Sequence, residues 1–185
     1  MSKGAQTRER ITELSAQLFN SKGIEGTTLA DIMEATGMEK GGIYNHFDSK
    51  EEMGQAAFDL VFVQILQRFK EYFEPEGSQE AKILSIVRFY ESLWEDPILE
   101  GNYPLVGIGI HAEKNDPVLY EKVKQAFSKL EYIISVILQE SETELNSEFL
   151  FSSLNGSLML SFYLDDSHYL YNTTRILKEL IKKTI

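Results

Sequence analysis

Two adjacent glycines, Gly41 and Gly42, follow Lys40 and precede Tyr44, Asn45 and His46 in a chain of 185 residues. Each glycine inside a helix costs roughly 1 kcal/mol relative to alanine, so a helical segment that carries a pair needs compensation. Close approach of the backbone to another surface is the usual use of such glycines. DNA phosphates or base edges would supply that surface; the alternative is a weak, frayed helix. Just upstream, the Thr28 side chain can accept free amide hydrogens of an opening turn. Leu29, Ile32, Met33 and Ala35 then give an apolar face at helical spacing, and Gly37 marks a tight turn. A helix, a short turn containing glycine and a second helix form a helix-turn-helix, whose second helix enters the DNA major groove. The stretch Thr27–Lys50 is therefore read as a DNA reader.

Other elements must position that stretch. Ile11, Leu14, Leu18 and Phe19 share one face of a first helix over 5–22, which Lys22-Gly23 ends. Arg8 and Arg10 lie near its start, either reaching a phosphate or standing as solvated charges. The reader's two helices are expected over 28–36 and 39–46. Ser49 and Glu52 have the spacing of a capping box and open a long aromatic-rich helix over 49–73, bridging a small N-terminal domain and a larger C-terminal one. The 74–78 stretch, with Pro75 and Gly77, breaks the chain. Helices are then expected over 79–95, 117–139, 144–164 and 168–185. Residues 105–112 mix β-branched residues with glycines, but a lone strand has nothing to pair with, so a short helix is expected there.

The totals set limits. The formal net charge is −11, with 43% hydrophobic and 25% charged residues, the composition of a globular protein. The first fifty residues carry six Lys/Arg against seven Asp/Glu. The reader is thus near neutral, and its few cations must face the phosphates, with binding sensitive to salt. The chain has no cysteine, which excludes disulfides and thiolate metal sites. Neither a signal peptide nor a membrane-length apolar run is visible, so a cytoplasmic location is expected.

The run T-T-L-A-D-I-M-E-A-T-G-M-E-K-G-G-I-Y-N-H-F-D-S-K-E-E-M over 27–53, with Phe19, Gly23 and Gly26 before it, resembles the tetracycline-repressor (TetR) family of bacterial transcriptional regulators. The resemblance covers about the first fifty residues. It implies an all-α fold: a three-helix helix-turn-helix DNA-binding domain over 1–48, and a helical-bundle effector-binding and dimerisation domain over 49–185. It also implies a homodimer on a palindromic double-stranded operator, released by a small apolar or aromatic effector, with no cofactor and no membrane partner.

Carried over by position, Thr28, Lys40, Gly41, Tyr44, His46 and Lys50 match DNA-contacting residues, with Thr27 beside them. Lys40 and Lys50 can pair with phosphate, and Tyr44 and His46 can donate to phosphate oxygens. Base readout would fall to Lys40, Gly42 and Asn45. Glu39 stands where a serine or threonine cap is common, and it can accept from a cytosine amine.

Phe62, Phe69, Tyr90, Trp94, Tyr103, Phe127, Phe151 and Tyr163 are candidate linings of an effector pocket, with His111 and Asn155 as polar groups; core packing is the alternative for each. Ser153, Ser157 and Ser161, beside Gly156, make a small-residue stripe. With Leu177, Leu180 and Ile181 it is expected at the dimer interface, on the last two long helices, where the resemblance places it. Packing inside one subunit is the alternative. No nucleophile–base pair or metal cluster supports an enzyme. A helical small-molecule-binding or protein-interaction module without specific DNA binding remains the other reading.

Overall fold

The computed structural model describes residues 2–95, 112–113, 115–139 and 145–184. Tyr103, His111 and the rest of the 105–111 segment lie outside these residues. Eight helices are found among the described residues: α1 Lys3–Gly26, α2 Leu29–Thr36, α3 Lys40–Tyr44, α4 Lys50–Tyr72, α5 Gln79–Trp94, α6 Pro117–Gln139, α7 Ser147–Leu164 and α8 His168–Thr184. The all-helical expectation holds among these residues.

Local chemistry accounts for most boundaries. The regular run of α1 breaks at Gly23, whose φ of 75° is one that L side chains rarely adopt. The helix there makes one more turn and stops at Thr27. Thr28 opens α2 with a reciprocal capping box: its Oγ1 accepts from the Asp31 N–H at 3.2 Å, and Asp31 Oδ2 accepts from the Thr28 N–H at 2.7 Å. Gly37 ends α2 in the left-handed region at φ 67°.

α3 is shorter than expected. Glu39 sits at its N-cap in an extended conformation and makes no side-chain capping bond. At the other end Asn45 and His46 form a turn, their amides donating to the Gly41 and Ile43 carbonyls. Asn146 caps α7, its Oδ1 accepting from the Glu148 and Phe149 amides.

The chain divides into two compact units. The first runs to Gln64 and takes in the described residues between 112 and Val123; the second starts at Ile65 and resumes at Lys124. Compactness thus divides the chain within α4 and α6, not after residue 48. In the first unit Ile11, Phe19, Ile32, Ile43, Phe47 and Met53 are each at most 2% exposed. Side chains of this size contribute about 1.5–3 kcal/mol each on full burial, so the reader has a core of its own. In the second unit α5 buries Ile83, Ile86, Val87, Phe89, Tyr90 and Leu93. α7 adds Leu150, Leu154 and Leu158, and α8 adds Leu170, Leu177 and Ile181. On α4 the buried stripe is narrower than its composition suggested: Val63 is 63% exposed.

Candidate nucleic-acid interface

α3 buries Ile43 and presents Lys40, Gly41 and Tyr44 to solvent, with Glu39 and Asn45 exposed at its two ends. The Lys40 ammonium lies 5.8 Å from the Tyr44 ring centre, so cation and phenol share one surface. The two glycines have different environments. A Cβ built on Gly41 meets no heavy atom within 4 Å, so its backbone is open to an approaching surface. On Gly42 a Cβ would meet Met38 Cε at 3.1 Å. A side chain at position 42 would therefore require the end of Met38 to shift by a few tenths of an ångström.

Several expected contacts are already engaged. Thr27 is fully buried, and its hydroxyl donates to the Gly23 carbonyl at 2.7 Å; its side chain is not available to DNA, which corrects the expectation for it. The Thr28 hydroxyl donates to Asp31 Oδ2 at 2.6 Å and its amide donates to the same atom. Both Thr28 donors are thus spent on the capping box. Lys50 Nζ donates to the Thr27 carbonyl at 3.1 Å, tying the start of α4 to the α1–α2 link. His46 is half-buried, and its carbonyl accepts from the Arg8 guanidinium.

The electrostatics follow from these pairs. Lys22 Nζ lies 2.6 Å from Asp31 Oδ1. That bond, then those from Thr28, hold the Asp31 carboxyl far below its usual range. Arg8 pairs with Glu52 at 2.7 Å, and the Asp48 amide donates to the other Glu52 oxygen at 2.6 Å. The Asp48 amide first, and Arg8 second, lower the Glu52 pKa. Arg10 donates to the Thr36 carbonyl at 3.3 Å. Pattern reading missed the partners of Lys22, Arg10 and Arg8 because they lie 9 to 44 residues away along the chain.

The second unit gathers part of the expected effector lining. Asn155 Nδ2 donates to the Tyr90 hydroxyl at 2.8 Å and to the Phe151 carbonyl at 2.8 Å. Burial raises the Tyr90 pKa, so its hydroxyl stays neutral. Phe127 meets Phe151 edge-on at 6.1 Å, and Trp94 tilts against Phe162 at 5.0 Å. Phe69 and Tyr90 line a void of only about 10 Å³, with Ile86, Phe89, Leu130, Ile133 and Ile134. That void is far below the roughly 300–1,000 Å³ that a drug-sized ligand needs. Phe62 stacks on Phe58 in the first unit. Tyr163 is 85% exposed, which does not fit its expected role in a buried lining. A groove of about 350 Å³, unforeseen in the sequence, lies between α5 and α8, with Glu91, Tyr171, Arg175 and Lys178 among its walls.

The small-residue stripe is also corrected in part. Ser157 and Ser161 are buried within one subunit, and the Ser161 hydroxyl accepts from the Leu170 amide at 3.1 Å. Leu177 and Ile181 are likewise covered within the subunit. Ser153 is half-buried, nothing lies within 4 Å of a Cβ built on Gly156, and Leu180 is exposed. Exposed apolar side chains stand instead at Phe149, Met159, Leu160, Tyr163 and Leu164 on α7, and at Tyr169, Ile176 and Leu180 on α8. Among the described residues no three His, Asp or Glu side chains cluster to hold a metal ion, and no helix is long and apolar enough to cross a membrane.

Comparison with known proteins bears on this geometry. Residues 11–57 match the family described as bacterial regulatory proteins, tetR family. The regulator TtgR of Pseudomonas putida is 44% identical over 56 residues, which span 30% of this chain and 27% of TtgR. The repressor KstR2 of Mycolicibacterium smegmatis is 27% identical over 85 residues, 46% of this chain and 42% of its own. These matches thus cover well under two thirds of the relatives' length. Two crystal structures match throughout. A TetR transcriptional regulator from Chloroflexus aurantiacus is 31% identical, with a TM-score of 0.89 over 100% of this chain and 98% of its own. A TetR-family regulator from Cytophaga hutchinsonii is 25% identical, with a TM-score of 0.85 over 100% and 97%.

Proposed function

The chain belongs to the TetR family of bacterial transcriptional regulators, and on that premise we propose that it is a homodimeric repressor that leaves its operator when a small effector binds. The observation that carries the reading is the solvent face of α3: Glu39, Lys40, Gly41, Tyr44 and Asn45 exposed around one buried anchor, Ile43. Lys40 and Asn45 are the side chains able to read guanine and adenine edges in a major groove, and Glu39, whose carboxylate makes no capping bond, can accept from cytosine N4. Tyr44 donates to phosphate, and Gly41 lets the backbone come close. His46 and Lys50 stand at the edge of this face, where the remaining N–H groups of Lys50 can meet a phosphate.

The second copy docks on the exposed apolar side chains of α7 and α8, Leu180 among them, with Gly156 beside them. The effector is an apolar or aromatic molecule held in the second unit, and α4 carries its effect, since that helix has residues in both units. An effector shifts the equilibrium only by its difference in affinity for the two arrangements.

The test is selection from a pool of random DNA duplexes by the purified chain. Enrichment of an inverted repeat is expected, and failure to enrich any sequence contradicts the reading. Apolar ring compounds that raise the thermal midpoint are then added to the enriched duplex. Release is expected; a compound that stabilises the chain yet leaves duplex affinity unchanged contradicts the effector role.

A further inference from the structure

Arg8 lies on α1, outside the helix-turn-helix, and its guanidinium serves three partners within the first unit. It donates to the His46 carbonyl, it donates to Glu52 Oε1 at 2.7 Å, and its Cζ lies over the Phe47 ring, 4.0 Å from the ring centre. Glu52 is fixed in turn, its Oε2 accepting from the Asp48 amide at 2.6 Å and its own amide donating to Ser49 Oγ at 3.1 Å. His46, Phe47 and Asp48 are the link between α3 and α4. A helix of five residues cannot hold its own direction, because helix formation is costly below several turns. Its direction is set by Ile43 and Phe47, both at most 1% exposed, and by what grips its exit.

We propose that Arg8 is a positioning residue for DNA reading: it fixes the direction of α3 through the His46–Asp48 link and makes no DNA contact. The proposal rests on the reading of α3 as the helix that meets DNA. An arginine is required because a planar fork can serve a carbonyl and a carboxylate together while its face covers a ring; a lysine ammonium offers the charge without that geometry. The consequence falls on specificity. Base contacts depend on the angle of the reading helix, whereas phosphate contacts tolerate a small shift and carry no sequence information.

The decisive variant is Arg8→Lys, which keeps the charge, with Arg8→Ala and Glu52→Gln beside it. The full chain is titrated with a duplex that the wild type enriches from a random pool, and with a scrambled duplex of the same length, at several salt concentrations. Arg8→Lys and Glu52→Gln are expected to weaken the enriched duplex by roughly tenfold, the scale of a lost charged hydrogen bond. Scrambled binding and the salt slope are expected to stay unchanged, and Arg8→Ala to lose more of the discrimination. Thermal midpoints identify any variant that fails to fold; if Arg8→Ala does, the other two decide.

Equal loss on both duplexes with an unchanged slope shows a merely structural residue and overturns the proposal. A fall in slope of about 0.9 for Arg8→Ala, one phosphate contact, overturns it in favour of direct contact. If the wild type enriches no duplex, the reading of α3 itself fails and the proposal with it.

Discussion

Lys40 and Lys50 are the same residue type ten positions apart, and their surroundings separate them. The Lys50 ammonium is bonded to the Thr27 carbonyl at 3.1 Å, while that of Lys40 stands on an exposed face over Tyr44 at 5.8 Å. Both were equally eligible in the sequence, since spacing reports where a residue falls on a helix and not which carbonyl lies within reach. Arg8, Arg10 and Lys22 are likewise bonded within the chain. Lys40 is therefore the cation on which phosphate attraction by α3 depends most. Lys40→Ala is expected to reduce the slope of log affinity against log salt by about 0.9. Lys50→Ala is expected chiefly to cost about 1 kcal/mol of stability, the worth of a hydrogen bond. Salt-dependent binding curves and thermal melts of the two variants check this pair of outcomes.

The elements were legible where their causes are local. Thr28 and Asp31 are three residues apart, and Gly37 closes the helix they open, so the limits of α2 followed from types and spacing. α3 is shorter than expected at both ends because Glu39 is extended at the N-cap and Asn45 and His46 turn out of the helix. On α7, the spacing of Ser153, Ser157 and Ser161 revealed a close helix contact but not whether its partner was α8 of the same subunit or another copy.

The α2 cap also has a pH signature. Asp31 has an ordinary value of 3.8 and is held far lower in the folded state by Lys22 and Thr28. A carboxylate whose folded pKa is depressed adds stability that is present above its unfolded pKa and is lost as pH falls through the folded one. The wild type is therefore expected to lose reader stability as pH drops below about 4, and Asp31→Asn to be less stable at neutral pH with a flatter acid limb. Thermal midpoints across that range provide the check; parallel limbs would exclude the cap as the cause.

At the scale of the molecule, the all-helical architecture and family membership were readable from about fifty residues, because a DNA reader constrains them residue by residue. The rest was less legible. An aromatic such as Tyr90 or Phe127 is equally at home in a core or a pocket, and Tyr163 proved to face solvent. The exposed apolar side chains of α7 and α8 and the outward face of α3 together give the account its central claim: two copies of this chain read one stretch of DNA. The most direct measurement is the mass of the complex on an enriched duplex, combined with a map of the protected bases. The account predicts two chains per duplex and two protected half-sites with centres about 34–36 Å apart or slightly more, near one turn of DNA. A single chain per duplex with one protected site would contradict it.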